Sequence, residues 1–162
     1  MTSLNTSALA MPSGSARVDR SATERAGGTP GVSRGIVGVL LAGVHQWGGT
    51  ALDRALPRPL VPVANRPLIT YAMRWLREAG VRSLTLCGNS HTGLLRTCLG
   101  SPSWEGVEID YYEDVMPRGP AGCVRDAALS RGAEIVVVVD GTIVPCVDLD
   151  AIVAAHRQSE AK

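Results

Sequence analysis

Residues 65–87 read NRPLITYAMRWLREAGVRSLTLC, and the spacing of apolar groups changes within them. Leu68, Ile69, Ala72, Trp75, Leu76 and Ala79 recur at helical intervals and fall on one face. Asn65 is a capping residue type, Pro67 suits a first helical turn, and Gly80 suits the position just past a helix end. Ser83–Cys87 (SLTLC) is short and apolar, as a buried strand is. A helix that passes through a glycine into such a strand is the repeating unit of a parallel sheet with crossover helices.

The same alternation extends in both directions. Upstream, Ile36–Ala42 is an apolar run that reads as a strand. Downstream, residues 91–99 predict a shorter helix closed by Gly100, and Val107–Tyr112 (VEIDYY) alternates as a strand. Pro120 sits where a helix would begin, with Ala121, Val124, Ala127, Ala128 and Leu129 as its apolar side and Gly132 after it. Residues 134–139 (EIVVVV) form the clearest strand, β-branched almost throughout and followed by Asp-Gly. Asp148 can cap a last helix in which Leu149, Ile152, Val153 and His156 share a face. The order βαβαβαβα predicts an α/β fold: a Rossmann-like open, mainly parallel sheet with helices on both faces. In such sheets ligands lie beyond the carboxyl ends of the strands, which points to loops 43–64, 88–90, 113–119 and 140–147.

Composition agrees with one globular domain behind a tail. The chain has 162 residues, 45% hydrophobic and 19% charged, with a formal net charge of +1. A near-neutral chain gives no reason to expect nucleic acid as a partner. No apolar stretch approaches the roughly 20 residues of a membrane span, and the N-terminus lacks a secretory pattern. Its Ser, Thr and Arg content is that of a transit peptide, but Asp19 and Glu24 run against one. Residues 1–34 are rich in small and polar groups without periodicity and read as a disordered tail; 35–162 read as the α/β domain. Cys87, Cys98, Cys123 and Cys146 have no metal-knuckle or redox spacing and read as free thiols packed as small apolar groups in a reducing cytoplasm. His45, His91 and His156 likewise show no pair with metal-ligand spacing.

The most informative loop is 41–63, LAGVHQWGGTALDRALPRPLVPV. A strand opening into a glycine-containing loop is a common phosphate site, yet a tryptophan stands in the middle of this one. The run 57–81, PRPLVPVANRPLITYAMRWLREAGV, resembles the N-terminal half of the sugar-1-phosphate nucleotidyltransferases, the NDP-sugar pyrophosphorylases. Three further segments are similar to that family in order and spacing: MPRGPAG (116–122), VVVVDGT (136–142) and VDLDAIVAAH (147–156).

The resemblance implies a nucleoside triphosphate and a sugar 1-phosphate as substrates, attack of the sugar phosphate on the α-phosphorus, departure of pyrophosphate, and Mg²⁺ as the metal. Carried over position by position, it makes Leu41, Ala42 and Gly43 nucleotide-binding. Gly119, Ala121 and Gly122 contact base or ribose, with Pro120 in place of the family's Thr. Arg58 replaces the catalytic Lys of Pro-Lys-Pro, and Asp140 is the candidate metal ligand. His156 matches a position on a structural helix of the family.

The departures concern the catalytic groups. The family's second and third loop glycines fall on Val44 and Gln46, its Thr on Trp47, and its catalytic Arg on Gly48. Side chains at 44 and 46 restrict φ and crowd a phosphate, and loss of the Arg removes a cation from the phosphate oxygens. Arg58 keeps the charge but is a planar fork rather than a point charge. The family's metal Asp falls on Thr142, a poor hard-cation ligand, so that Asp140 either reaches a shifted Mg²⁺ or caps a turn with Gly141. A shifted register, with Gly48, Gly49 and Thr50 as the glycine turn and Arg54 as the cation, is the alternative. The family's sugar-binding half and its second metal Asp are expected beyond this chain, which makes the fold truncated. Three readings follow. The first is a nucleotidyltransferase domain, weak or inactive as this chain. The second is a pseudo-enzyme that binds a nucleotide, a sugar nucleotide or a protein partner without chemistry, whereas the first reading has the fold completed by a protein partner or further chain. The third is an A-type glycosyltransferase with a poor Asp-x-Asp site at Asp140-Gly141-Thr142.

Overall fold

The computed structural model describes residues 35–43, 51–100, 102–113 and 119–159. The tail 1–34, the loop 44–50 with Val44, His45, Gln46, Trp47, Gly48, Gly49 and Thr50, and Met116–Arg118 lie outside the described residues. The main sheet has five strands: β1 (Ile36–Leu41), β4 (Ser83–Cys87), β5 (Ser103–Trp104), β6 (Val107–Tyr112) and β7 (Ile135–Asp140). Their spatial order is β5-β6-β4-β1-β7, and every pairing is parallel except β5 with β6. Strands β2 (Pro62–Val63) and β3 (Arg66–Pro67) form a separate small hairpin. The helices are α1 (Ala51–Ala55), α2 (Ile69–Glu78), α3 (Thr92–Leu99), α4 (Gly119–Arg131) and α5 (Leu149–Gln158).

Helices cover both faces, unequally. Residues of α2, α3 and α5 share one core with Ile36, Leu40, Leu84, Leu86, Val107 and Ile109. On the other face Cys123 and Ala127 of α4 pack on Val39 and Cys87. The strand β1 lies between β4 and β7 and is buried on both faces because α2 packs on one and α4 on the other. Its Gly38 permits this: a Cβ there would stand 2.6 Å from Leu84 Cδ2 and 2.9 Å from Leu76 Cδ1, so α2 settles directly on the strand.

The helix ends follow local chemistry. Gly80 has φ +87°, its N–H donates to Arg77 O at 2.9 Å, and Val81 N–H donates to Leu76 O at 3.0 Å. These paired bonds are the glycine-based stop of a helix that the sequence predicts at Gly80. Asp148 caps α5 as expected, its side chain accepting from Asp150 N–H at 2.9 Å and Ala151 N–H at 3.2 Å.

Several local expectations are corrected. Asn65 does not cap α2. Ala64 and Asn65 have φ of +46° and +62° and form the two-residue turn between β2 and β3, the left-handed geometry that tight hairpins need. Helix α2 starts at Ile69, after Leu68, and Met73 joins Ile69, Ala72 and Leu76 on its buried side. In α4 the buried pair is Cys123 and Ala127, whereas Leu129 is 75% exposed. In α5 Leu149 and Val153 are buried, while Ile152 and His156 are exposed. Of the four thiols, only Cys87 and Cys123 are packed as small apolar groups; Cys98 and Cys146 are exposed. No helix among the described residues is long and apolar enough to cross a membrane.

The glycines give a direct test of the packing. Gly38→Val should lower the free energy of urea unfolding by about 1–3 kcal/mol, because the new methyls meet side chains already packed in the core. Gly93→Ala should raise it by up to about 1 kcal/mol, since nothing lies within 4 Å of a Cβ at that helical position.

Candidate active site at the carboxyl edge of the sheet

The carboxyl ends of β1, β4, β6 and β7 all face one edge, because these four strands are parallel. The end of β1 is fastened on both sides. Ala42 N–H donates to Cys87 O at 2.9 Å, and Gly141 N–H donates to Leu41 O at 2.9 Å. Leu41 is half-buried, Ala42 buried and Gly43 half-buried, and Leu41 stands opposite Cys87 on one side and Asp140 on the other.

Gly43 lies against the loop after β4. A Cβ on Gly43 would be 2.8 Å from Gly88 O and 3.1 Å from Asn89 Cβ. Gly88 is equally confined, since a Cβ there would be 2.6 Å from Leu95 Cδ1. Two backbone segments, at Gly43 and at Gly88, therefore approach closely at this edge.

Residue types alone did not single out Asn89. It has φ +48°, and its Oδ1 is buried with no hydrogen-bond partner. The visible signal was the dipeptide Gly-Asn directly after a strand, within a loop marked only by its position.

The other expected site residues are placed as follows. Gly119, Pro120 and Ala121 are exposed and Gly122 half-buried in the first turn of α4, a helix that packs against β1. Pro120 is in that turn as the sequence predicts, and Gly119 has φ +73°. The N-terminal turn of a helix in general favours an anion or the acceptor edge of a base. Arg58 opens the 3-10 turn Arg58–Leu60; it is half-buried, with its Nε withdrawn from solvent.

Asp140 ends β7. Its Oδ1 accepts from Thr142 N–H at 2.8 Å and from Thr142 Oγ1 at 2.7 Å, so the carboxylate closes the turn through Gly141. Among the described residues no three His, Cys, Asp or Glu side chains come together as a metal site. Asp140 is thus a single carboxylate with one oxygen accepting from two donors, whereas Mg²⁺ is commonly held by one or two carboxylates together with substrate phosphates and waters. The phenol of Tyr111, on β6, is held above its ordinary value chiefly by burial; Arg96, whose guanidinium lies 4.7 Å over the ring, opposes this.

Comparison with known proteins places this edge in context. The nucleotidyl transferase family model matches residues 50–162, more than half of the chain, and the chain belongs to that family. A low-salt glycan biosynthesis nucleotidyltransferase from Haloferax volcanii is 37% identical over 93 residues, covering 55% of this chain and 26% of the relative. A D-glycero-alpha-D-manno-heptose 1-phosphate guanylyltransferase from Aneurinibacillus thermoaerophilus is 27% identical over 106 residues, covering 65% of this chain and 46% of the relative. Among solved structures, HddC from Yersinia pseudotuberculosis complexed with GMP-PN shares the fold with a TM-score of 0.64 at 19% identity, over 74% of this chain and 53% of that one. A putative glucose-1-phosphate thymidylyltransferase from Bacillus anthracis gives 0.68 at 21% identity, over 77% and 51%. The chain thus spans about half the length of these solved relatives and less of the two sequence relatives.

The contact between Gly43 and Gly88 is backbone on one side and cannot give way. Gly43→Ala should therefore cost about 1–3 kcal/mol in urea unfolding, with faster amide exchange at Ala42, whose N–H is bonded to Cys87 O.

Proposed function

We propose that this chain is the nucleotide-binding portion of a sugar-phosphate nucleotidyltransferase. In this reading a nucleoside triphosphate lies across the carboxyl edge. Its phosphates meet Leu41, Ala42 and Gly43, and its base or ribose meets Gly119, Ala121 and Gly122, with Arg58 as the nearby cation. A sugar 1-phosphate is the second substrate, and residues 35–162 act as one domain. The observation that carries the reading is the side-chain-free contact of Gly43 with Gly88 at the fastened end of β1, in a chain of this family.

Such an edge can do part of the chemistry. Backbone N–H groups and the first turn of α4 supply positive potential to phosphate oxygens without reorganising, the main requirement of phosphoryl-type transfer. A metal, when bound, would neutralise further phosphate charge. Turnover needs more than this chain offers. The family's loop Arg is Gly48, its metal Asp is Thr142, and Thr142 is occupied in donating to Asp140 Oδ1. We therefore take the chain to be weak or inactive alone, binding nucleotide and requiring a protein partner or further polypeptide for catalysis.

Calorimetry with GTP, dTTP, UTP, CTP and ATP, with and without Mg²⁺, tests this. One of them should bind with a Kd on the order of 100 μM (about −5.5 kcal/mol). Adding a panel of sugar 1-phosphates should release no pyrophosphate. Absence of binding by folded chain overturns the nucleotide reading, and rapid pyrophosphate release overturns the inactivity. Thr142→Asp combined with Gly48→Arg should tighten binding in Mg²⁺ about tenfold, as a second carboxylate and a phosphate cation are restored. No change would show that the family's Arg and Asp map elsewhere, for example in the register led by Gly49 and Thr50.

A further inference from the structure

The turn after β4 carries a polar side chain that pairs with none of the described residues. Its backbone is tied down: His91 N–H donates to Gly88 O at 2.9 Å, and Asn89 O accepts from Thr92 Oγ1 at 2.8 Å. Gly88 is pressed against Leu95, which holds the turn in place. Asn89 is half-buried and has φ +48°. Its Oδ1 is buried without a partner, and its Nδ2 donates to none of the described residues.

Asparagine tolerates a left-handed φ better than most residues, so the turn accounts for the backbone at 89. It does not account for the side chain, since an acceptor hidden from water with no donor costs stability. An unmade bond and an uncommon φ at one residue, at the mouth of a candidate site, point to function.

Asn89 also stands in the right place. A Cβ on Gly43 would be 3.1 Å from Asn89 Cβ, and β4 lies between β1 and β6. Asp140 ends β7, on the opposite flank of β1. With phosphates at Leu41–Gly43, Asn89 falls on the side away from Asp140, toward β6 and the chain that enters α4 at Gly119. That is the base's side of the phosphates. Nδ2 is not buried as Oδ1 is, so the group offered outward is a donor.

We propose that Asn89 is a specificity-determining residue that selects the base, its Nδ2 donating to an exocyclic carbonyl oxygen. The nucleotide is then a 6-oxopurine or a 4-oxopyrimidine, which carries that oxygen where adenine and cytosine carry an amino group. An amino group there would set donor against donor, and a site built for such a bond rejects the analogue that cannot make it. This inference rests on the nucleotide reading above and deepens it.

The test is calorimetry with GTP, UTP, dTTP, ATP and CTP in Mg²⁺ on the full chain, on Asn89→Gly and on Asn89→Asp. Glycine removes the side chain at a φ it adopts freely. Aspartate keeps the size and the left-handed tolerance but carries only acceptors. The native chain should bind its best oxo nucleotide at least about tenfold more tightly than ATP or CTP. Asn89→Gly should weaken that nucleotide about tenfold and leave ATP and CTP unchanged. Asn89→Asp should weaken it at least as much, because a carboxylate repels a carbonyl oxygen. The urea midpoint of Asn89→Gly should not fall, so that lost affinity reports the ligand rather than the fold.

A preference that survives both substitutions overturns the inference and leaves Asn89 a turn residue. Equal loss for all the nucleotides overturns it too, and moves the amide to ribose or phosphate. Binding by the native chain without preference overturns this inference alone. A folded native chain that binds no nucleotide overturns the nucleotide reading and this inference together.

Discussion

Two backbone hydrogen bonds hold the end of β1 between its neighbours, one from Ala42 N–H to Cys87 O and one from Gly141 N–H to Leu41 O. Every feature of the candidate site depends on that fastening. It fixes where Gly43 leaves the sheet, and so where Gly88 and Asn89 can approach. It also sets Leu41 opposite Asp140, which brings the turn through Thr142 to the same edge. Without the two bonds the glycines would be flexible links; with them they are a rigid floor.

The fold was legible because the signals were local and redundant. Each helix had a stripe and a stop, and each strand had an apolar run, so βαβ order followed from pattern alone. What escaped were positions where two readings of one residue compete. Asn65 is equally suited to a cap and to a left-handed turn. The turn wins because Pro62–Val63 and Arg66–Pro67 pair across it. Leu129 fits a helical stripe by spacing, yet α4 meets the sheet through the small groups of Cys123 and Ala127, leaving Leu129 on the far side. A β-branched run such as 135–139 says strand, but it does not say whether one or both edges are paired.

The candidate site rests on resemblance more than on local pattern. Leu41–Gly43, Gly119–Gly122 and Asp140 were placed by resemblance, and the structure puts their elements on one edge of the sheet. Asn89 had no motif to announce it, because its distinction is a buried acceptor and a positive φ, which are properties of packing. Asp140 can be read as a ligand or as a turn residue, and its Oδ1 accepts two bonds from Thr142 across that turn.

The register of the sheet also has a consequence for how the chain is made. Ile36 pairs with Ile135, near the other end of the domain, whereas Gly38 pairs with the much nearer Leu84. During synthesis β1 and β4 can zip together while β7 is still inside the ribosome, and one flank of the most buried strand must wait. Long-range parallel pairing forms slowly for reasons of loop entropy. The nascent chain thus passes through a half-built sheet with an open apolar flank on β1, the stage at which it would most need a chaperone.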